Sequence, residues 1–117
     1  MKLKAVREEV RGLIRKWKPR LYLDMWDIDI DYFDGPIPGF EHALAVCTPT
    51  PNYFLGRIRV NYPEYAKTKP DRRETVIVHE LLHLLCSSAI DDQSSKETEQ
   101  LVSTMAIILM DQQRRTS

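Results

Sequence analysis

The sequence predicts an α+β domain, in which helices cover a small, three-stranded, mainly antiparallel sheet. Three observations lead there. The N-terminal stretch repeats apolar side chains at helical spacing. The middle of the chain breaks into short alternating runs separated by Pro and Gly. The last third returns to helical periodicity.

Leu3, Val6, Val10, Leu13, Ile14 and Trp17 fall at helical spacing, with Lys2, Arg7, Glu8, Arg11, Arg15 and Lys16 between them. This is an amphipathic helix over about residues 2–18, ended by Pro19. Its basic side reads as a solvated outer face. LYLDMWDIDIDYF, Leu21 to Phe33, approaches strict alternation near its end and reads as a strand with one wet face. Its aspartates invite a calcium reading. Asp27, Asp29 and Asp31 share one side of a strand, however, and no EF-hand Gly and Glu follow in register. A solvated acidic face explains them better.

GPIPGF, Gly35 to Phe40, is a turn-rich loop. HALAVCT, His42 to Thr48, reads as a second strand, and TPTPN breaks it. YFLGRIRVNYP, Tyr53 to Pro63, is the third strand. NYPEYAKTKPD is a connector. Residues 71–88 form a helix, with Asp71 at the N-cap and Glu74 at capping-box spacing. IDDQSS is a loop. The last helix runs from about Ser95 to Arg114, with Leu101, Val102, Met105, Ile108 and Leu109 as its apolar stripe.

At 117 residues the expectation is one domain over 1–117. Seventeen basic and 17 acidic residues cancel, which disfavours a dedicated nucleic-acid partner. The basic run KTKPDRR, Lys67 to Arg73, does not alter that balance. No apolar run approaches bilayer length, and the charged N-terminus holds no signal-peptide core, so the cytoplasm is expected. Cys47 and Cys86 lack CxxC spacing and read as two buried thiols.

The segment TVIVHELLHLLCSS, Thr75 to Ser88, carries the chemistry. His79 and His83 are four residues apart, so on a helix both imidazoles reach one metal ion. Glu80 sits about 100° around from His79, placed to act on a water rather than to ligate. This is the His-Glu-x-x-His spacing of a zinc hydrolase: two ligands and one general base. The plain alternative is a core helix with two satisfied histidines. It leaves each buried polar group to find a partner, at about 1–3 kcal/mol where one is missing.

A catalytic zinc takes a third protein ligand and keeps a fourth position open. No histidine follows His83. His42 is one candidate, and Glu97 and Glu99 in SSKETEQLVSTMA are better ones. Glu99 precedes Val102, Ser103 and Ala106, a face suited to packing on the motif helix. Glu97 points outward near the helix start, so Glu99 is favoured.

HELLH followed about fifteen residues later by ETEQLVSTMA resembles the gluzincin metallopeptidases, with VIVHELLHLL and TEQLV as the specific match. The short chain looks most like the minigluzincins and related small phage or prokaryotic proteins. The resemblance implies zinc on His79, His83 and Glu99, with Glu80 as general base and acid, acting on a peptide or protein substrate. The family's oxyanion-steadying His or Tyr downstream is absent, leaving Tyr53, Tyr62 or Tyr65 as upstream substitutes. A substrate strand is expected to add along the Tyr53–Asn61 edge. The competing function is a latent or non-catalytic metal-binding module, with Cys86 as a fourth ligand.

Overall fold

The computed structural model describes residues 1–87, 89 and 95–116. The IDDQSS loop lies outside the described residues except for Ser95, as does Ser88 at the end of the expected motif helix. The architecture is α+β, in the order α1 (Leu3–Arg20), β1 (Asp27–Phe33), β2 (Ala45–Thr50), β3 (Leu55–Asn61), α2 (Tyr62–Lys67), α3 (Pro70–Cys86) and α4 (Lys96–Thr116).

α1 buries Val6, Val10 and Trp17, the expected stripe. It runs one residue past Pro19, because a proline in the last turn removes only a bond that fraying would weaken anyway. The expected strand Leu21–Phe33 starts only at Asp27. Residues 21–23 instead close α1. Tyr22 adopts φ +57°, its N–H donates to Pro19 O, and the Leu23 N–H donates to Lys18 O. That is a Schellman cap built without glycine. It turns Leu21, Leu23 and Trp26 into the core.

The sheet is mixed rather than mainly antiparallel. β3 is the central strand, parallel to β1 and antiparallel to β2. Residues paired across the sheet share a face. Ile28, Ile30 and Tyr32, then Gly56, Ile58 and Val60, then Ala45, Cys47 and Pro49 share the face that α1 covers at β1 and α3 covers at β2 and β3. The opposite face sets Asp29 against Arg57 and Asp31 against Arg59, so the acidic stripe lies beside a basic one. Because both edges of β3 are paired, no substrate strand can add along Tyr53–Asn61. The free edges belong to β1 and β2.

NYPEYAKTKPD is not simply a connector. Asn61 caps a short helix, accepting from the Glu64 N–H, and Pro63 occupies its first turn. α3 begins at Pro70 with Lys69 as N-cap and no side-chain cap. The expected Asp71–Glu74 capping box does not form. Glu74 instead accepts from Trp17 Nε1 at 2.6 Å and Lys16 Nζ at 2.7 Å, tying α3 to α1. Arg73 makes a second tie, with Nε 2.7 Å and Nη2 3.0 Å from the Glu9 carboxylate.

α3 is the spine of the core, burying Ile77, Val78, Leu81, Leu82 and Leu84. Gly56 lets it lie directly on the sheet. A Cβ there would meet Leu84 Cδ2 at 2.7 Å and Cδ1 at 2.9 Å. α4 buries Thr98, Val102, Ala106 and Met110, a face at i, i+4 spacing. Leu101 and Ile108, expected in its stripe, are exposed at 44% and 51%. The buried stripe is rotated onto Thr98, Val102, Ala106 and Met110, with Met105 and Leu109 partly buried beside it.

Candidate metal centre

α3 sets His79 and His83 one turn apart on a single face, with ring centroids 5.1 Å apart. α4 supplies the third group. Ser95 caps it, its Oγ accepting from the Thr98 N–H at 3.1 Å, and this orients the first turn that carries Glu99. Glu99 Oε2 lies 3.2 Å from His79 Nε2, and Oε1 lies 2.9 Å from His83 Nε2. Among the described residues, His79, His83 and Glu99 form the group able to hold a metal, with donor atoms all within 4.8 Å of one another.

These three donors suit a divalent cation. Zinc bonds of ~2.0–2.2 Å in a tetrahedral arrangement separate neighbouring donors by about 3.3–3.5 Å. The observed 2.9 and 3.2 Å would open by a few tenths of an ångström, while donors spread over as much as 4.8 Å would draw together by about an ångström around the ion. Two imidazoles and one carboxylate are a borderline set acceptable to zinc and to other first-row ions. Burial pulls the His79 pKa below its ordinary 6.5, with His83 adding to the effect and the Glu99 carboxylate opposing it. Burial prevails over the ion pair, so His79 is neutral at neutral pH, the form a metal requires.

Glu80 stands apart from the donor group and is nearly sealed, 6% exposed. Burial, reinforced by the Glu99 charge, pushes its carboxyl up to about 8, while the main-chain N–H of Cys47 donates to it and opposes the rise. That bond follows from the sheet. Asn61 N–H donates to Leu44 O, so alternation in the ladder turns the main-chain groups of Ala45 and Cys47 to the open edge of β2. The free edge thus faces α3 beside the three donors.

Two cavities that share Ala43, Ala45, His79 and Glu80 form a trough along this face of α3. One cavity of about 370 Å³ holds His79, His83, Glu99 and Glu80 with Phe40 and Cys47 in its wall. A second, of about 430 Å³, shares His79 and Glu80 and extends past Val76 and Thr75 to Arg72. His42 lines the second cavity but is not part of the donor group. Neither Glu97 nor Cys86 belongs to that group. Both cysteines are free and half-buried, rather than fully buried as expected. Burial and the Glu80 charge push the Cys47 thiol well above its ordinary range.

No family model, curated protein or solved structure matches this chain. The likeness to gluzincins rests on the HELLH segment and on the two-helix His-His-Glu cluster, which is consistent with a zincin-like HExxH…E arrangement.

None of the tyrosines named for an oxyanion role lines either cavity. Tyr65 is fully buried, and its hydroxyl donates to Glu9 at 2.8 Å on the far side of α3. Tyr53 is 74% exposed. Arg72 was not singled out by the sequence reading. The one available signal was its place seven residues before His79, on the same helical face.

Proposed function

We propose that the chain is a zinc-dependent metallopeptidase, acting as a single zincin-like domain over 1–117 in the cytoplasm. His79, His83 and Glu99 would hold the metal and Glu80 would move the proton. The observation that carries this reading is the cluster of His79, His83 and Glu99 donors within 4.8 Å at the floor of an open trough, with a sealed carboxyl beside it.

A zinc ion held there supplies Lewis acidity to a water and to the scissile carbonyl. Glu80 would accept the proton of the attacking water as the C–O bond forms, then deliver it to the nitrogen as the C–N bond breaks and the amine leaves. Burial raises the proton affinity of Glu80 in the metal-free site, and a dication held beside it would favour the carboxylate, the form that accepts the water proton. The Cys47 N–H orients the carboxylate. The outward main-chain groups at Ala45 offer an extended substrate the pairing that β3 cannot.

Metal content tests the centre, and peptide hydrolysis tests the chemistry. Wild type is expected to hold about one zinc per chain, retained in Glu97→Ala and lost in Glu99→Ala. Zinc-loaded wild type is expected to cleave a mixed peptide pool that Glu80→Gln, with zinc still bound, leaves intact. Full zinc occupancy without cleavage of any peptide would favour the metal-binding module instead.

A further inference from the structure

The trough is chemically uneven. Of the described residues lining its two cavities, Arg72 is the one lysine or arginine. Its neighbour Arg73 is consumed by Glu9, whereas Arg72 is exposed and has no ion-pair partner among the described residues. The cavity that Arg72 shares with His79 is otherwise lined by small and apolar side chains, among them Val76, Ala106 and Ile107, with Thr75, Ser103 and His42 as its other polar groups beside Glu80. A cavity with metal donors on one side and an unpaired guanidinium on the other has a polarity its occupant must match.

We infer that Arg72 is a specificity-determining residue, and that the trough takes peptides carrying a carboxylate two to three residues from the scissile bond on the Val76 side. The inference rests on the peptidase reading of the same site.

The spacing sets that position. Seven residues of α3 separate Arg72 from His79, about 10 Å along the helix axis. An extended peptide advances ~3.3–3.6 Å per residue, so two to three residues cover that span once the side chains reach toward one another. Guanidinium is suited to the partner, because its planar fork pairs bidentately with a carboxylate. Ile107 is 64% exposed at the wall, and an apolar side chain on the intervening substrate residue would cover it. Either an Asp or Glu side chain or a chain-terminal carboxylate supplies the chemistry.

The test uses full-length, zinc-loaded Glu80→Gln protein and fluorescent peptides sharing one apolar core, so binding is read without turnover. The peptides differ in one group: a single Asp or Lys at each position in turn, or a free or amidated C-terminus. Peptides with the carboxylate at the matching position are expected to bind about 2–5-fold tighter than their neutral counterparts, and Lys counterparts to bind more weakly still. Placing Asp within the chain and freeing the C-terminus tell the two carboxylate sources apart. Adding Arg72→Glu should move the preference to the Lys peptide, and adding Arg72→Lys should keep its direction with a smaller ratio. Far-UV circular dichroism and zinc content confirm that each variant is folded and loaded. Equal binding of all peptides, a preference unchanged by Arg72→Glu, or no binding of any peptide overturns the inference. Selective binding by wild type without cleavage leaves it standing and removes the peptidase reading. Cleavage without charge preference does the reverse.

Discussion

Replacing Glu80 by Gln in metal-free protein should make the protein more stable, in a pH-dependent way. Burial, with the Glu99 charge adding to it, raises the folded-state pKa of Glu80 from 4.5 to about 8. In the unfolded chain the carboxyl ionises near 4.5. Between these values unfolding releases a proton, so stability is fully present below about pH 4.5 and declines as pH rises through about 8. At 1.36 kcal/mol per pH unit the whole interval amounts to at most about 5 kcal/mol. Gln reproduces the shape of the protonated acid and does not titrate. The assay is urea unfolding of chelator-treated wild type and Glu80→Gln from about pH 5 to pH 9, read as the difference between the two. Other groups titrate in both proteins and cancel in that difference, including His79, whose lowered pKa costs stability as pH falls. The difference should be below about 1 kcal/mol at pH 5 and grow in favour of Gln to a plateau above about pH 8. A flat difference, or a Gln variant less stable at pH 9, would refute the argument that burial holds Glu80 protonated. With zinc bound the advantage should shrink, because a dication beside the carboxyl favours its charged form.

Zinc itself should raise the unfolding free energy by about 2.7 kcal/mol at a hundredfold excess over its dissociation constant, and His83→Ala should abolish that rise in a thermal-shift titration. Gly56→Ala should destabilise by about 1–3 kcal/mol, because the new methyl meets Leu84 below 3 Å. A double-mutant cycle with Leu84→Ala should show strong coupling, and additive effects would dismiss the contact. Arg73→Ala should cost about 1.5–3 kcal/mol by stripping Glu9 of its charged partner, whereas Arg72→Ala should change stability by less than about 0.5 kcal/mol. Below about pH 4.5 wild type should lose the contributions of Glu9 and Glu74. Burial opposes their ionisation, but hydrogen bonds from Arg73 and Tyr65, and from Lys16 and Trp17, hold both carboxyls below the ordinary range. Glu9→Gln should flatten part of that acid limb.

Elements whose information is local can be read from the chain alone. Helical periodicity marked α1, α3 and α4, and alternation marked the heart of β1 and β3. His79, Glu80 and His83 were legible for the same reason, since three positions on one helix have a geometry set by its pitch alone. Glu99 was legible only through the small-residue face following it, and the packing that brings it to 2.9 Å from His83 depends on Ala106 and on a cap at Ser95. What the tertiary structure alone decided was every relation between elements. β3 inserts between β1 and β2, parallel to the first and antiparallel to the second, and alternation within a strand does not specify its neighbours. The open edge therefore passed to β2, whose Cys47 N–H meets Glu80. Residues 21–23 left the sheet because a left-handed Tyr22 completed two hydrogen bonds at the end of α1, a gain invisible to periodicity. Arg72 and Arg73 are adjacent and alike in the sequence. Only folding gave one a carboxylate and left the other at the end of a trough, because a helix turns consecutive side chains by about 100° toward different neighbours.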